Sequence, residues 1–171
     1  MNGSGGPDWS WEIGGDADEL QALLVACDAY QAEHSGTAAP ERRIETTRAR
    51  VSSGCVHVLR SRGRAAAMFT LSQAPPSGLD LAAYPPASRP AYLSRLAVRP
   101  DLLAAGSLAG TRCVRRAVRL AAASGADALR AEANPDLTGT RAMLARLGFL
   151  QHGPVHTDET GRRHVHLQKS L

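Results

Sequence analysis

Between Ala91 and Gln168 the chain alternates apolar runs of strand length with stretches of helical period, which confines it to layered architectures of helices on a sheet. Tyr92-Leu93-Ser94-Arg95-Leu96-Ala97-Val98 reads as a strand that Pro100 stops. A loop from Asp101 to Gly106 leads into a long helix over about Leu108–Ser124. Ala128–Ala133 reads as the next strand, and a short helix over about Gly139–Leu147 follows, with Gly148 as its C-terminal cap. Phe149-Leu150 begins another strand, and His164–Gln168 forms a last one beyond a polar turn at Asp158–Gly161.

The N-terminal half follows the same rules. Residues 2–7 are Gly-rich and are predicted to form a disordered tail, leaving 8–171 as a single domain. Trp9, Trp11 and Ile13 alternate with polar residues, as in a half-buried strand. Asp16 followed by Glu19 reads as a capping box, and the helix behind it carries Leu20, Leu23, Leu24 and Cys27 on one face and ends near Gly36. Pro40 opens a second helix over about Glu41–Val51. Cys55–Leu59 and Ala65–Leu71 read as strands joined by a hairpin turn at Ser61–Arg64, where Gly63 supplies positive φ. Residues 74–90 hold five prolines, which exclude both helix and central strand and leave a surface loop, lid or spacer.

Composition narrows the class. A chain of 171 residues, 43% hydrophobic and 21% charged, suffices for one globular core. No apolar run approaches the ~18 residues of a membrane span, and the N-terminus has neither a basic start nor an apolar stretch, so a cytoplasmic protein is expected. Cys27, Cys55 and Cys113 are an odd, dispersed set, which predicts reduced thiols. The net charge is +4 and Lys169 is the sole lysine. The arginine surplus reflects either a coding bias or an anionic partner, phosphate-bearing cofactor or nucleic acid.

The order Leu96-Ala-Val-Arg-Pro100, a glycine-bearing loop opening a helix, a strand ending at Asn134, and a helix running into Leu147-Gly148-Phe149 resembles the core of the GNAT superfamily of N-acyltransferases. The opening Trp11-Glu-Ile13 through Asp18-Glu-Leu20 is similar to that family's first strand and helix. The resemblance implies a mixed, mostly antiparallel sheet of about six to seven strands flanked by about four helices. It also implies acetyl-CoA as acyl donor and a small-molecule amine as acceptor. The strand Tyr92–Val98 would splay from Ala128–Ala133 and hold the thioester in the gap. Leu96, Ala97 and Val98 would pair with the pantetheine amides. Gly106, Ser107, Leu108, Ala109, Gly110 and Thr111 would receive the pyrophosphate at a helix N-terminus, and Asn134 matches the family's asparagine after the strand.

The sequence departs from the family pattern at three points. Leu103 and Leu108 stand where the phosphate loop usually has Arg or Gln and a small residue, so only Gly106 matches. Leu144 occupies the position of the tyrosine that usually protonates the leaving thiolate. Pro135–Gly139 carries an insertion between Asn134 and Gly148. Candidate catalytic residues are Glu132 as general base, and Tyr92 and Ser94 on one face of their strand. Arg112, Arg115, Arg116 and Arg119 share a helical stripe with no balancing acid, a candidate polyanion surface. His152, His156, His164 and His166 have no cysteine or carboxylate at ligand spacing nearby, so no metal is expected. The eroded loop and the arginines keep two alternatives open: a relative that takes its acyl group from aminoacyl-tRNA, and a GNAT-fold binding protein without turnover. A homodimer is compatible with all of these.

Overall fold

The computed structural model describes residues 8–171; the predicted disordered tail at 1–7 lies outside the described residues. The elements run β1 (Trp9–Ile13), α1 (Ala17–Ser35), α2 (Ile44–Ser52), β2 (Val56–Ser61), β3 (Arg64–Ser72), β4 (Pro90–Val98), α3 (Pro100–Ala104), α4 (Ala109–Ala123), β5 (Ala128–Ala133), α5 (Thr138–Arg146), β6 (Leu150–Thr157) and β7 (Arg163–Ser170). All seven strands join one sheet in the order β1-β2-β3-β4-β5-β7-β6. Among the described residues only β4 and β5 pair in parallel, because α3 and α4 carry the chain back between them.

Local chemistry accounts for several element ends. Asp16 caps α1 by accepting hydrogen bonds from the Asp18 and Glu19 amides at 3.1 and 3.0 Å. The expected capping box is only half formed: Glu19 turns instead to Arg60, at 2.6 Å, and to the Ala65 amide. Gly36, at φ 69°, closes α1. The β2–β3 turn places Arg62 and Gly63 at φ 51° and 73°, the two positive values of a type I′ hairpin.

Two boundaries differ from expectation. The second helix begins at Ile44 rather than Glu41: Arg43 before it is extended, and Arg42 is tied to α1, its carbonyl accepting from Gln21 and its guanidinium pairing with Asp28 at 2.6 Å. The expected loop from Asp101 to Gly106 contains α3, so five helices flank the sheet where about four were expected. Pro100 stops β4 and, with φ fixed, starts that helix at its first position. A short 3₁₀ turn, Leu81–Ala83, also forms inside the proline-rich stretch, with Asp80 capping it.

The sheet buries both faces. Leu20, Leu24 and Cys27 of α1 lie on Val56, Val58, Met68 and Ala97. On the other face Cys113, Val114, Ala117 and Ala121 of α4 and Leu144 of α5 lie on Leu59, Phe69, Leu129 and Leu167. The site follows from a change of register. The β4–β5 ladder ends at Leu93↔Ala131, whereas β4 continues along β3 to Val98 and β5 along β7 to Ala133. A bulge sets Arg95 and Leu96 against Phe69 alone, with Arg95 at φ 53°, and bends β4 away from β5.

Candidate active site

The gap between β4 and β5 has two unlike sides. On one side, Leu96, Ala97 and Val98 lie on the part of β4 that β5 has left. The Val98 amide meets the Cys27 sulfur at 3.4 Å. Gly106, at φ 63°, ends α3, and an added Cβ there would meet nothing. Its glycine is required by backbone conformation rather than by crowding. Ser107 accepts from the Ala109 amide at 3.4 Å, and the first hydrogen bond of α4 runs from the Arg112 amide to Leu108. The amides of Gly110 and Thr111 are thus left free at a helix N-terminus. Leu108 is exposed, and Ala109 is fully buried, so its side chain cannot meet a ligand. Asn134, just beyond β5, accepts from the Asp136 amide and reaches Thr37 of the α1–α2 connection.

On the other side, Tyr92, Arg130 and Gln168 are register partners on one face, and Glu132 and His166 lie two residues further along it. Buried Arg130 organises this face. It donates to Gln168 at 2.9 Å, to the Tyr92 hydroxyl at 3.3 Å and to the Pro85 carbonyl at 2.8 Å, with Tyr84 beneath its guanidinium. The Tyr84 hydroxyl donates to the Ala131 carbonyl at 3.2 Å, where the β4–β5 ladder ends. The proline-rich stretch is therefore pinned over this face by Tyr84 and Pro85. Ser94, on the Tyr92 face of β4, borders the gap just past the last paired residue. Arg95 donates to Thr47 of α2, which donates to Gln21 of α1, tying the bulge to both helices.

Glu132 is the first residue of β5 beyond the end of that ladder. It makes no ion pair with arginine among the described residues; its neighbours are His166 at 3.4 Å and His164 at 3.7 Å. The expectation of histidines without a nearby carboxylate is corrected here, because β7 carries them beside β5. His166 is 1% exposed, and burial pushes its imidazole below the ordinary value of 6.5, with Glu132 pulling partly back. His57, stacked on Phe69, is lowered in the same way by burial and Arg116.

Both groups bind fewer protons folded than unfolded once the pH falls below 6.5. Their contribution is complete above that value and is lost as the pH falls through the lowered folded values. Melting temperature should therefore drop as the pH is taken from 7.5 to about 5, and His57→Phe should make that slope shallower. An unchanged slope in the variant would contradict the assignment of His57.

Other candidates lie apart from the gap. Leu144 is 3% exposed and belongs to the core under α5. Its side chain has no polar atom, and a tyrosine there would have to be repacked within the core. Of the arginine stripe, Arg112 and Arg116 lie over the rings of Trp9 and Trp11 at 5.6 and 5.7 Å, toward the β1 edge; Arg112, Arg115 and Arg119 are exposed and Arg116 is half-buried. Two surface clefts, of about 490 and 260 Å³, lie on the outer side of α2 and between α5 and β6, away from the gap. Cys27 and Cys113 are buried and Cys55 is half-buried, all three unpaired, and burial pushes Cys113 up to about 12.

No family model matches the chain, and no curated protein sequence matches it. Solved structures do. A chain of the NatC complex, bound to Gag peptide and CoA, aligns with a TM-score of 0.70 at 11% identity, over 95% of this chain and 98% of its own. An acetyltransferase of the GNAT family from Listeria monocytogenes aligns with a TM-score of 0.70 at 18% identity, over 95% of each chain. An agmatine N-acetyltransferase in apo form gives 0.70 at 15% identity, over 96% of this chain and 100% of its own. No helix among the described residues is long and apolar enough to cross a membrane. With a mostly antiparallel sheet parted between its one parallel pair, the chain has the fold of the GNAT N-acetyltransferases.

Proposed function

We propose that the protein is an N-acyltransferase that moves an acetyl group from acetyl-CoA to the amine of a small molecule. The observation that carries this reading is the parting of β4 and β5 after Leu93↔Ala131, with Glu132 the first residue past it. The residues present fit the donor. Leu96–Val98 offer a strand edge to the pantetheine amides, and the free amides of Gly110 and Thr111, with Gly106 and Ser107, suit a pyrophosphate.

In the reaction the amine nitrogen attacks the thioester carbonyl. A C–N bond forms and the C–S bond breaks, and the sulfur leaves as thiolate. Glu132 takes the proton that the amine gives up, directly or through a water. Tyr92 and Ser94 line the acceptor side, and Arg130 fixes the Tyr92 hydroxyl. Because Leu144 cannot donate a proton, the thiolate departs without the family's usual acid, which its low basicity relative to an alkoxide permits. Most of the acceleration then rests on orientation.

A donor-binding experiment tests the reading. Saturating acetyl-CoA should raise the melting temperature, by the equivalent of about 2.7 kcal/mol at a hundredfold excess over Kd. Ser107→Asp keeps a capping oxygen beside the start of α4 but sets a negative charge against the phosphates. The variant should melt no lower than the parent alone and should lose most of the shift. No shift in the parent at millimolar acetyl-CoA would overturn the donor assignment; a shift with charged tRNA in its place would favour the aminoacyl-tRNA alternative.

A further inference from the structure

The histidines of β7 have a use that acyl transfer does not require. Nε2 of His166 and Nε2 of His164 stand 3.4 and 3.7 Å from the same oxygen of Glu132, and the three ligand atoms lie within 4.8 Å of one another. A tetrahedral ion with bonds of about 2.0–2.1 Å holds its ligand atoms roughly 3.3–3.4 Å apart, so the spacing already approaches that of a filled site.

His166 supplies the second, independent observation. It is 1% exposed, and neither of its ring nitrogens has a hydrogen-bond partner. A buried imidazole without a partner is costly, and its Nε2 lies 3.4 Å from a Glu132 carboxylate oxygen without hydrogen-bonding to it. Tyr84 packs edge-on against its ring at 5.1 Å and holds its plane. His164 keeps a partly exposed edge, and Glu132 is about one-third exposed, so an ion can enter from the gap. His156 stacks on His164 with centroids 5.5 Å apart, a further imidazole bordering the cluster. The nearest arginine of this face, Arg130, is occupied by Gln168, Tyr92 and Pro85.

We propose that Glu132, His164 and His166 form a site for one divalent transition-metal ion of the Zn²⁺ class. Two imidazoles and one carboxylate select such an ion over Mg²⁺ or Ca²⁺, which prefer all-oxygen shells. Three protein ligands leave a further coordination position open toward the gap. If Glu132 is the base, as proposed above, an ion held here withholds that carboxylate from the amine. The binding itself does not depend on that reading.

The test uses the full chain, freed of metal with a chelator and titrated with Co²⁺, whose visible absorption reports tetrahedral coordination by nitrogen. One Co²⁺ per chain should bind, with bands that Zn²⁺ abolishes by displacement. Because His166 lies in the core, the informative variants are His164→Gln and Glu132→Gln, at the edge of the site. Loss of an outer partner of a metal ligand already weakens affinity about 10–100-fold, so loss of a ligand should weaken it at least tenfold in each. His34→Gln, on α1, should bind as the parent does. Absence of bands at millimolar Co²⁺, or affinity unchanged in both edge variants, would overturn the proposal. No acyl donor enters this measurement, so failure of the transferase reading would leave its outcome intact.

Discussion

Glu132→Gln should lower kcat by about 10²–10⁴-fold, the usual contribution of a positioned general base. The substitution keeps the size of the side chain, and Glu132 is partly exposed at the end of β5, so the fold should survive it. Affinity for acetyl-CoA should change little, because the carboxylate lies on the face of Tyr92 and Arg130, away from the start of α4. A variant with turnover within a few-fold of the parent would show that another group takes the proton. Loss of donor binding together with turnover would show that Glu132 shapes the gap instead.

Phe69→Ala should cost about 3–5 kcal/mol of stability, as expected for deleting a fully buried aromatic ring. Phe69 is 0% exposed in the middle of β3, stacked with His57 at 4.9 Å and edge-on to Trp11 at 6.0 Å. At about 2–4 °C per kcal/mol for a chain of this size, the melting temperature should fall by roughly 6–20 °C. Phe69 also stands opposite the bulge residues Arg95 and Leu96, so the cavity would open beside the bend that parts β4 from β5. A fall of less than about 2 °C would mean that the core collapses around the hole far better than its close packing suggests.

The parts of the molecule that depend on neighbours in sequence were legible from it. The Asp16 cap, the turn at Gly63, the stop at Pro100 and the cap at Gly148 each rest on the backbone chemistry of one or two residues. The strand–loop–helix–strand order from Tyr92 onward carried the resemblance to GNAT enzymes, and the sheet has that order. The hidden features are those made by partners far apart in the chain. Arg42 delays α2 by its bonds to Asp28 and Gln21, which no local rule reveals. The short α3 hides behind a proline that reads equally as a strand terminator and as a helix start. Leu144 is near a helix end in sequence, yet the turn after it folds that end into the core. The meeting of Glu132 with His164 and His166 needs the β5–β7 register, since their own segments show no ligand spacing. One sign was available: His164 and His166 alternate with apolar Val165 and Leu167, which places two imidazoles on a single sheet face.

In the proposed reaction the gap between β4 and β5 brings a thioester to an amine held beside Glu132. The most direct measurement incubates the purified protein with acetyl-CoA and a panel of primary amines, following acylated product and free coenzyme A by mass. One amine class should gain an acetyl group, with coenzyme A released in equal amount and both signals nearly lost in Glu132→Gln. Product formed only when charged tRNA replaces acetyl-CoA, or no product with either donor from a protein that binds them, would contradict it.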